Sequence, residues 1–109
     1  MTKYDWLDEM AAEIYQNNKE KGFWDDGGKT FDQAMLLVMS EIIEAYEAIR
    51  NGDVPDDKLP QYRGQDVELA DAIIRLLDWC GAHDIPIGEI VNAKLEYNKT
   101  RPYKHGKKF

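Results

Sequence analysis

Two pairs of acidic residues give this sequence its clearest chemical signal. Glu41 and Glu44 stand three residues apart in one amphipathic segment, and Glu68 and Asp71 repeat that spacing in another. On a helix, residues at i and i+3 share a face, so two such helices packed together would bring four carboxylates to one place. Crowded carboxylates repel one another, and hard divalent cations such as Mg²⁺ relieve that repulsion through oxygen ligands. The spacing alone also fits two ordinary solvated helix surfaces, on which acidic pairs are common.

The periodicity of apolar residues around these acids predicts an all-α chain of four helices with no strand. The helices are predicted to cover approximately residues 3–21, 30–51, 66–82 and 84–102. Their ends carry the usual signals for caps and stops. The predicted N-cap residues are Thr2, Thr30 and Asp84. Thr30 forms a capping box with Gln33, and Asp84 is followed by Pro86 in the first turn of its helix. The predicted stop signals are Gly22, Gly52 and Pro102.

The helical faces indicate where the core lies and whether the chain assembles. On the second helix one apolar stripe is predicted to form the core: Phe31, Met35, Val38, Ile42, Tyr46 and Ile49. Glu41 and Glu44 fall on a second, partly apolar face. The third helix is apolar on most sides, and its narrow polar gap holds Glu68, Asp71, Arg75 and Asp78. In a subunit of four short helices, the third helix has barely enough neighbours to cover its apolar surface. We therefore expect a four-helix bundle-like subunit that forms a homodimer, a homotetramer or another larger assembly.

Composition limits the classes of function that fit. The 109 residues predict a single domain over residues 1–109. The net charge of −7 divides into +5 for residues 94–109 and −12 for the remainder, which argues against a general nucleic-acid coat. The longest apolar run, residues 34–39, is too short to span a bilayer, so no membrane partner is expected. Neither an apolar signal region nor a pair of cysteines is present, and we expect a cytoplasmic protein.

Cations near the carboxyl end form a second candidate site. Lys94, Asn98 and Arg101 lie at i, i+4 and i+7 on the fourth helix, and Lys104 follows Pro102. Arginine suits forked recognition of phosphate, and lysine acts as a point charge. A basic helix end that only improves solubility fits the spacing equally well, because the helix dipole favours cations there.

Three stretches together resemble a known enzyme family. The acidic pairs stand in the contexts Ser40-Glu41-Ile42-Ile43-Glu44-Ala45 and Glu68-Leu69-Ala70-Asp71-Ala72-Ile73-Ile74-Arg75, and residues 94–106 follow. This pattern, from about Lys21 to the end of the chain, resembles the MazG-like all-α nucleoside triphosphate pyrophosphohydrolases, in particular their small stand-alone, phage-type members. Ser40 departs from the pattern, because many members carry a third acid there.

The resemblance implies Mg²⁺-dependent hydrolysis of a (deoxy)nucleoside triphosphate to monophosphate and pyrophosphate, with Mn²⁺ as an alternative ion. It implies Glu41, Glu44, Glu68 and Asp71 as metal ligands, with Glu41 or Glu44 also acting as the catalytic base. It favours phosphate contacts for Lys94, Asn98, Arg101 and Lys104, and it places Lys21 and Trp24 on the nucleoside side. The alternative for Trp24 is a core aromatic residue, and we expect Trp6 and Trp79 to lie in the core or at an interface. Base and sugar preference, the number of metal ions and action on alarmones stay open.

Two other classes of function are compatible with the same sequence. The first is a catalytically silent helical dimer that senses a nucleotide or a metal ion. The second is an interaction protein whose basic end docks on nucleic acid, although the acidic body makes nucleic acid the less favoured partner.

Overall fold

The computed structural model describes residues 1–108 and confirms the prediction of an all-α chain. The chain forms four α-helices, α1 (Asp5–Glu20), α2 (Phe31–Arg50), α3 (Gly64–Ala82) and α4 (Ile87–Lys99), followed by a short 3-10 turn, Tyr103–Gly106. No strand forms in the described residues, where the α2–α3 loop is closed by an isolated bridge between Pro55 and Arg63. None of the helices described is both long and apolar enough to cross a membrane.

Several helix ends follow the chemistry that the sequence predicts. The capping box that opens α2 is present: Gln33 N–H donates to Thr30 Oγ1 at 3.1 Å, and Thr30 N–H donates to Gln33 Oε1 at 2.9 Å. Gly22 and Gly52 follow the last residues of α1 and α2 with φ of +89° and +99°. This left-handed conformation closes a helix end and is accessible to glycine without a steric penalty.

Two predicted N-caps, Thr2 and Asp84, are wrong. Thr2 belongs to a turn before α1, where its Oγ1 accepts from Tyr4 N–H at 3.1 Å, and the helix begins only at Asp5. Asp84 instead takes a left-handed φ of +52°, and Ile85 N–H donates back to the Cys80 carbonyl oxygen at 3.0 Å. This Schellman-type ending makes Asp84 part of the stop of α3. Pro86 then stands at the N-cap of α4 rather than within its first turn.

The helix α3 lies in the middle of the subunit, with α1 and α2 packed against it and α4 packed on α1. Glycines set two of these helix contacts. A Cβ atom at Gly81 would overlap the Ala11 carbonyl group of α1, reaching 2.8 Å from its carbon atom. At Gly88 of α4, whose N–H donates to Asp8 Oδ1 at 3.3 Å, a Cβ atom would overlap the Tyr4 carbonyl group.

The predicted core stripe of α2 lies mostly on the outside of the subunit, so that prediction is wrong for a single chain. Of its six residues Val38 is buried, whereas Ile42 and Tyr46 are 51% and 59% exposed. Besides Val38, the buried residues of α2 lie outside this stripe: Ala34, Glu41 and Ala45. Within the chain α2 packs mainly on α3, and the small side chains among these buried residues allow close approach. Much of the bulky face is therefore exposed in a single chain, although Phe31 packs against Trp79 with ring centres 5.5 Å apart.

The subunit is open, and its core is thin. Its accessible surface is 8283 Å², against about 6,200 Å² for a compact monomer of the same mass. Its radius of gyration is 16.4 Å, against about 13 Å for a compact chain of this length. The buried apolar residues among those described are small or medium-sized: Ala11, Ala34, Val38, Ala45, Ala72 and Leu77.

The close approach of α1 and α3 gives a test of the fold. Gly81→Ala should lower the free energy of unfolding by about 1–3 kcal/mol, because the new methyl group must push the Ala11 backbone away. Gly64→Ala is the matched control, since a Cβ atom there makes only ordinary contacts, the nearest at 3.4 Å from the Val54 carbonyl oxygen. Urea denaturation measures both variants. Equal stability of Gly81→Ala and wild type would contradict the described α1–α3 contact.

Candidate metal centre

Three of the four predicted metal ligands meet where α2 and α3 pack together. Carboxylate oxygens of Glu41, Glu44 and Glu68 all lie within 4.8 Å of one another. These three residues are called the acid cluster below. The fourth predicted ligand, Asp71, is outside this set, but it lines a cavity together with Glu41. The buried face of α2 that contacts α3 carries Glu41, which explains how the two i, i+3 pairs come to face each other.

The acid cluster is only partly open to water. Glu41 is 8% exposed, Glu68 is half-buried, and Glu44 is exposed. The Oε2 atom of Glu68 is enclosed and has no hydrogen-bond partner among the described residues. An enclosed carboxylate oxygen without a partner is costly unless a proton or a cation neutralises it. The cluster therefore fits a cation with oxygen-preferring coordination, of which Mg²⁺ and Mn²⁺ are examples.

Burial and mutual repulsion change the acidity of the cluster. Burial, followed by interactions with Glu41 and Glu44, raises the pKa of Glu68 to about 8, which favours its protonated form. Burial alone would raise the pKa of Glu41 too, but the hydrogen bond from Arg75 and the interaction with Glu68 outweigh it and lower that pKa. Burial and the charge of Glu41 raise the pKa of Asp71. A bound divalent cation would favour the ionised forms of all these groups.

Arg75 provides the cluster with a positive charge from within the chain. Its Nε–H donates to Glu41 Oε1 at 2.8 Å, which also makes the closest ion pair of the described residues. Sequence analysis placed Arg75 in the polar gap of the third helix without giving it a role. The structure shows that this gap faces α2 at Glu41, so Arg75 pairs across the helices rather than along its own.

A cavity of about 210 Å³ adjoins the cluster. One part of its wall is acidic and another carries the cations Lys29 and Arg75. The full lining is Asn18, Phe23, Lys29, Glu41, Asp71, Ile74, Arg75 and Asp78. Three helices and the loop before α2 therefore contribute to it.

Asp78 of α3 binds two residues of the loop that precedes α2. Its carboxylate is 5% exposed, accepts from Trp24 Nε1–H at 3.0 Å and faces Lys29 Nζ at 3.8 Å. Lys29 Nζ also lies 4.6 Å from the centre of the Trp24 ring. Paired and hydrogen-bonded in this way, a buried carboxylate can keep its charge.

Trp24 and Trp79 both pack against other aromatic rings. Trp24 packs edge-on against Tyr15, with ring centres 5.4 Å apart, and lies near Trp79. Trp79 in turn stacks on His83 at 3.8 Å. Trp24 thus has packing partners and an engaged indole N–H, as for a structural residue, while the nucleoside role predicted for it stays a prediction. Trp6 is 52% exposed.

The predicted phosphate-binding residues of the carboxyl end lie elsewhere. Lys94 Nζ and the Arg101 guanidinium lie 4.9 Å and 5.8 Å from the Tyr97 ring centre, and the enclosed Oδ1 of Asn98 has no described partner. Lys104 Nζ donates to the Lys108 carbonyl oxygen at 3.3 Å. Because α4 packs on α1, none of these four residues lines the cavity of its own chain, and neither does the exposed Lys21.

Sequence reasoning missed the roles of Lys29, Asp78 and Asn18. A signal was available for Asp78, because it follows Asp71 at i+7 and therefore shares a helix face with it. Lys29 and Asn18 belong to a loop and to another helix. No spacing rule connects them to the acid cluster, and packing alone brings them to the cavity.

Comparison of the chain with models of protein families finds no match, and comparisons with curated proteins and with solved structures find none either. The similarity to MazG-like enzymes therefore remains a resemblance of motifs.

The raised pKa of Glu68 predicts how stability depends on pH. The carboxyl group has a pKa of about 8 in the folded chain and an ordinary value of 4.5. Between these values the folded state holds more protons than the unfolded state, so the free energy of unfolding falls as pH rises through the window. Glu68→Gln removes the titrating group and therefore this loss of stability. Its stability relative to wild type should therefore increase from about pH 5 to about pH 8 when no divalent cation is present.

Urea denaturation in a chelating buffer at several pH values measures this difference. Glu13→Gln, an exposed change on α1, is the control and should follow the wild-type pH dependence. Parallel curves for Glu68→Gln and wild type would show that Glu68 titrates normally.

Proposed function

We propose that the protein is a Mg²⁺-dependent nucleoside triphosphate pyrophosphohydrolase that releases monophosphate and pyrophosphate. The observation that carries this proposal is the convergence of Glu41, Glu44 and Glu68, with an enclosed and unpartnered Glu68 oxygen, beside a cavity that also holds cations. Such a site combines ligands for a divalent cation with donors for an anion. The resemblance of the motifs to MazG-like enzymes supports the same chemistry.

In this proposal Glu41, Glu44, Glu68 and Asp71 hold Mg²⁺ or Mn²⁺ directly or through water. When bound, the metal ion neutralises phosphate charge and lowers the pKa of an attacking water molecule. Glu44 is the better candidate for the general base, because it is exposed, whereas Glu41 is buried and engaged by Arg75. A base must reach a water molecule and must have a free lone pair to accept the proton.

The carboxyl-end residues Lys94, Asn98, Arg101 and Lys104, together with Lys21 and Trp24, keep their proposed substrate contacts. None of the four carboxyl-end residues lines the cavity of the same chain. Their contact with a triphosphate at the acid cluster therefore requires a second copy of the chain or a different position of the C-terminal segment. The base, the sugar and the use of alarmones as substrates are questions for a substrate panel.

Neutralising single acids tests the hydrolase directly. Glu44→Gln and Asp71→Asn should each reduce Mg²⁺-dependent pyrophosphate release by about 100-fold or more, because each removes a ligand or a base. The assay uses a panel of nucleoside and deoxynucleoside triphosphates and guanosine alarmones, and it detects monophosphate and pyrophosphate. Glu13→Gln on α1 is the charge-matched control and should keep full activity.

Full activity of both cluster variants would contradict the site assignment. Binding of Mg²⁺ and nucleotide with no turnover of any compound on the panel would instead favour the silent sensor. Salt-dependent binding of DNA or RNA without turnover would favour the nucleic-acid-docking protein.

We further propose that the functional unit is a homodimer or a larger homo-oligomer. The support is the extended subunit together with the bulky apolar side chains that it leaves exposed on α2 and α3. Large exposed apolar surfaces are typical of interfaces. The main exposed residues of that face are Leu36, Met39, Ile42, Ile43, Tyr46, Leu69 and Ile73.

A charge placed on this face should disrupt assembly. Met39→Asp costs little in an isolated subunit, because Met39 is 54% exposed, but it would bury a charge in an interface. Light scattering should give at least twice 12.6 kDa for wild type and a smaller mass for the variant. Ile90→Asp on α4 is the control, with a similar exposure of 48% outside this face. A monomeric wild type at micromolar concentration would contradict the proposal.

A further inference from the structure

The two partners of the Arg75–Glu41 ion pair differ in their exposure to solvent. The Glu41 side chain is 10% exposed, whereas the Arg75 side chain is 38% exposed. Arginine has a long, flexible stem, so its guanidinium group can leave a partner while the helix stays in place. Arg75 is therefore able to move without separating α2 from α3.

Lys29 lies beside Arg75. Both residues line the 210 Å³ cavity, and both also border a smaller gap of about 10 Å³ under Trp24. Each cation faces a carboxylate, Arg75 at Glu41 and Lys29 at Asp78. Together with Asp71, the lining thus holds three acidic and two basic side chains. In this arrangement both cations are engaged by carboxylates, and they become available to an anion only when another cation takes their place.

A divalent cation on the acid cluster would change that balance. Glu41 would then have a stronger counter-charge than one guanidinium group, and the forked donors of Arg75 would be free on the cavity side. Guanidinium groups match phosphate oxygens in geometry and charge. The cavity is smaller than the 300–1,000 Å³ that is typical of sites for drug-sized ligands, which suits one or two phosphate groups.

We propose that Arg75 is an internal counter-ion that leaves Glu41 when a divalent cation binds the acid cluster and then binds, together with Lys29, a phosphate group in the adjoining cavity. This inference rests on the metal site of the proposed function. It adds a phosphate subsite within one chain, apart from the basic face of α4. It also makes metal and phosphate binding cooperative, because each removes a competitor of the other.

Arg75→Gln should shift the two affinities in opposite directions. In the absence of phosphate, Mn²⁺ measured by titration calorimetry or electron paramagnetic resonance should bind about two- to fivefold more tightly, as removal of a partly exposed ion pair allows. Inorganic pyrophosphate in saturating Mg²⁺ should bind at least about tenfold more weakly, because a charge-assisted contact is lost. A variant that merely disturbs the fold would weaken both.

Two controls separate exchange at Glu41 from a general effect of charge. Lys29→Gln removes a positive charge from the same cavity without releasing Glu41, so it should weaken pyrophosphate binding and change Mn²⁺ affinity much less than Arg75→Gln. Arg50→Gln removes an exposed arginine that pairs with Glu47 and should leave both affinities unchanged. Circular dichroism confirms that each variant is folded.

Unchanged or weaker Mn²⁺ binding by Arg75→Gln would overturn the inference, as would an equal gain in Lys29→Gln or unchanged pyrophosphate binding. These outcomes leave the hydrolase intact if wild type still turns over nucleotides. The expected variant effects in a chain that hydrolyses no nucleotide would overturn the hydrolase and support the counter-ion role. A wild type that binds no Mn²⁺ would overturn both.

Discussion

The crowding of carboxylates between α2 and α3 is the constraint on which the rest of this structure depends. Glu41 and Glu68 bring carboxylates into a helix contact, where charge has to be neutralised or paired. Two features meet this need: the pKa of Glu68 is raised to about 8, which favours its neutral form, and a guanidinium group is bound to Glu41. In the proposed metal site, a bound cation would take over both of these roles.

The open shape of the subunit follows from the same contact. The face of α2 that meets α3 consists of alanines, Val38 and Glu41, so the larger apolar side chains are directed elsewhere. A chain of 109 residues that covers so little of its apolar surface has few means of stabilising itself alone. The proposed assembly would cover that surface.

Asp78 connects the site to the loop that precedes α2. By binding both the Trp24 indole and Lys29, this buried carboxylate holds the loop against α3 and keeps a cation at the cavity. One wall of the cavity is therefore formed by the packed helices α2 and α3, and another by the loop that Asp78 holds in place. In the proposed function, this combination would hold a small anion close to a metal ion.

The sequence by itself determined the all-α class, the capping box at Thr30, the glycine stops and the i, i+3 spacing of the acids, because these depend on neighbours along the chain. It did not determine which face of α2 is buried, since an apolar stripe fits a subunit core and an intersubunit contact equally well. Nor did it connect Arg75 with Glu41 or Lys29 with Asp78, which are 34 and 49 residues apart. Only the packing of α3 between α1 and α2 decided those pairs, because charge partners that are distant in sequence meet through tertiary contacts and not through periodicity.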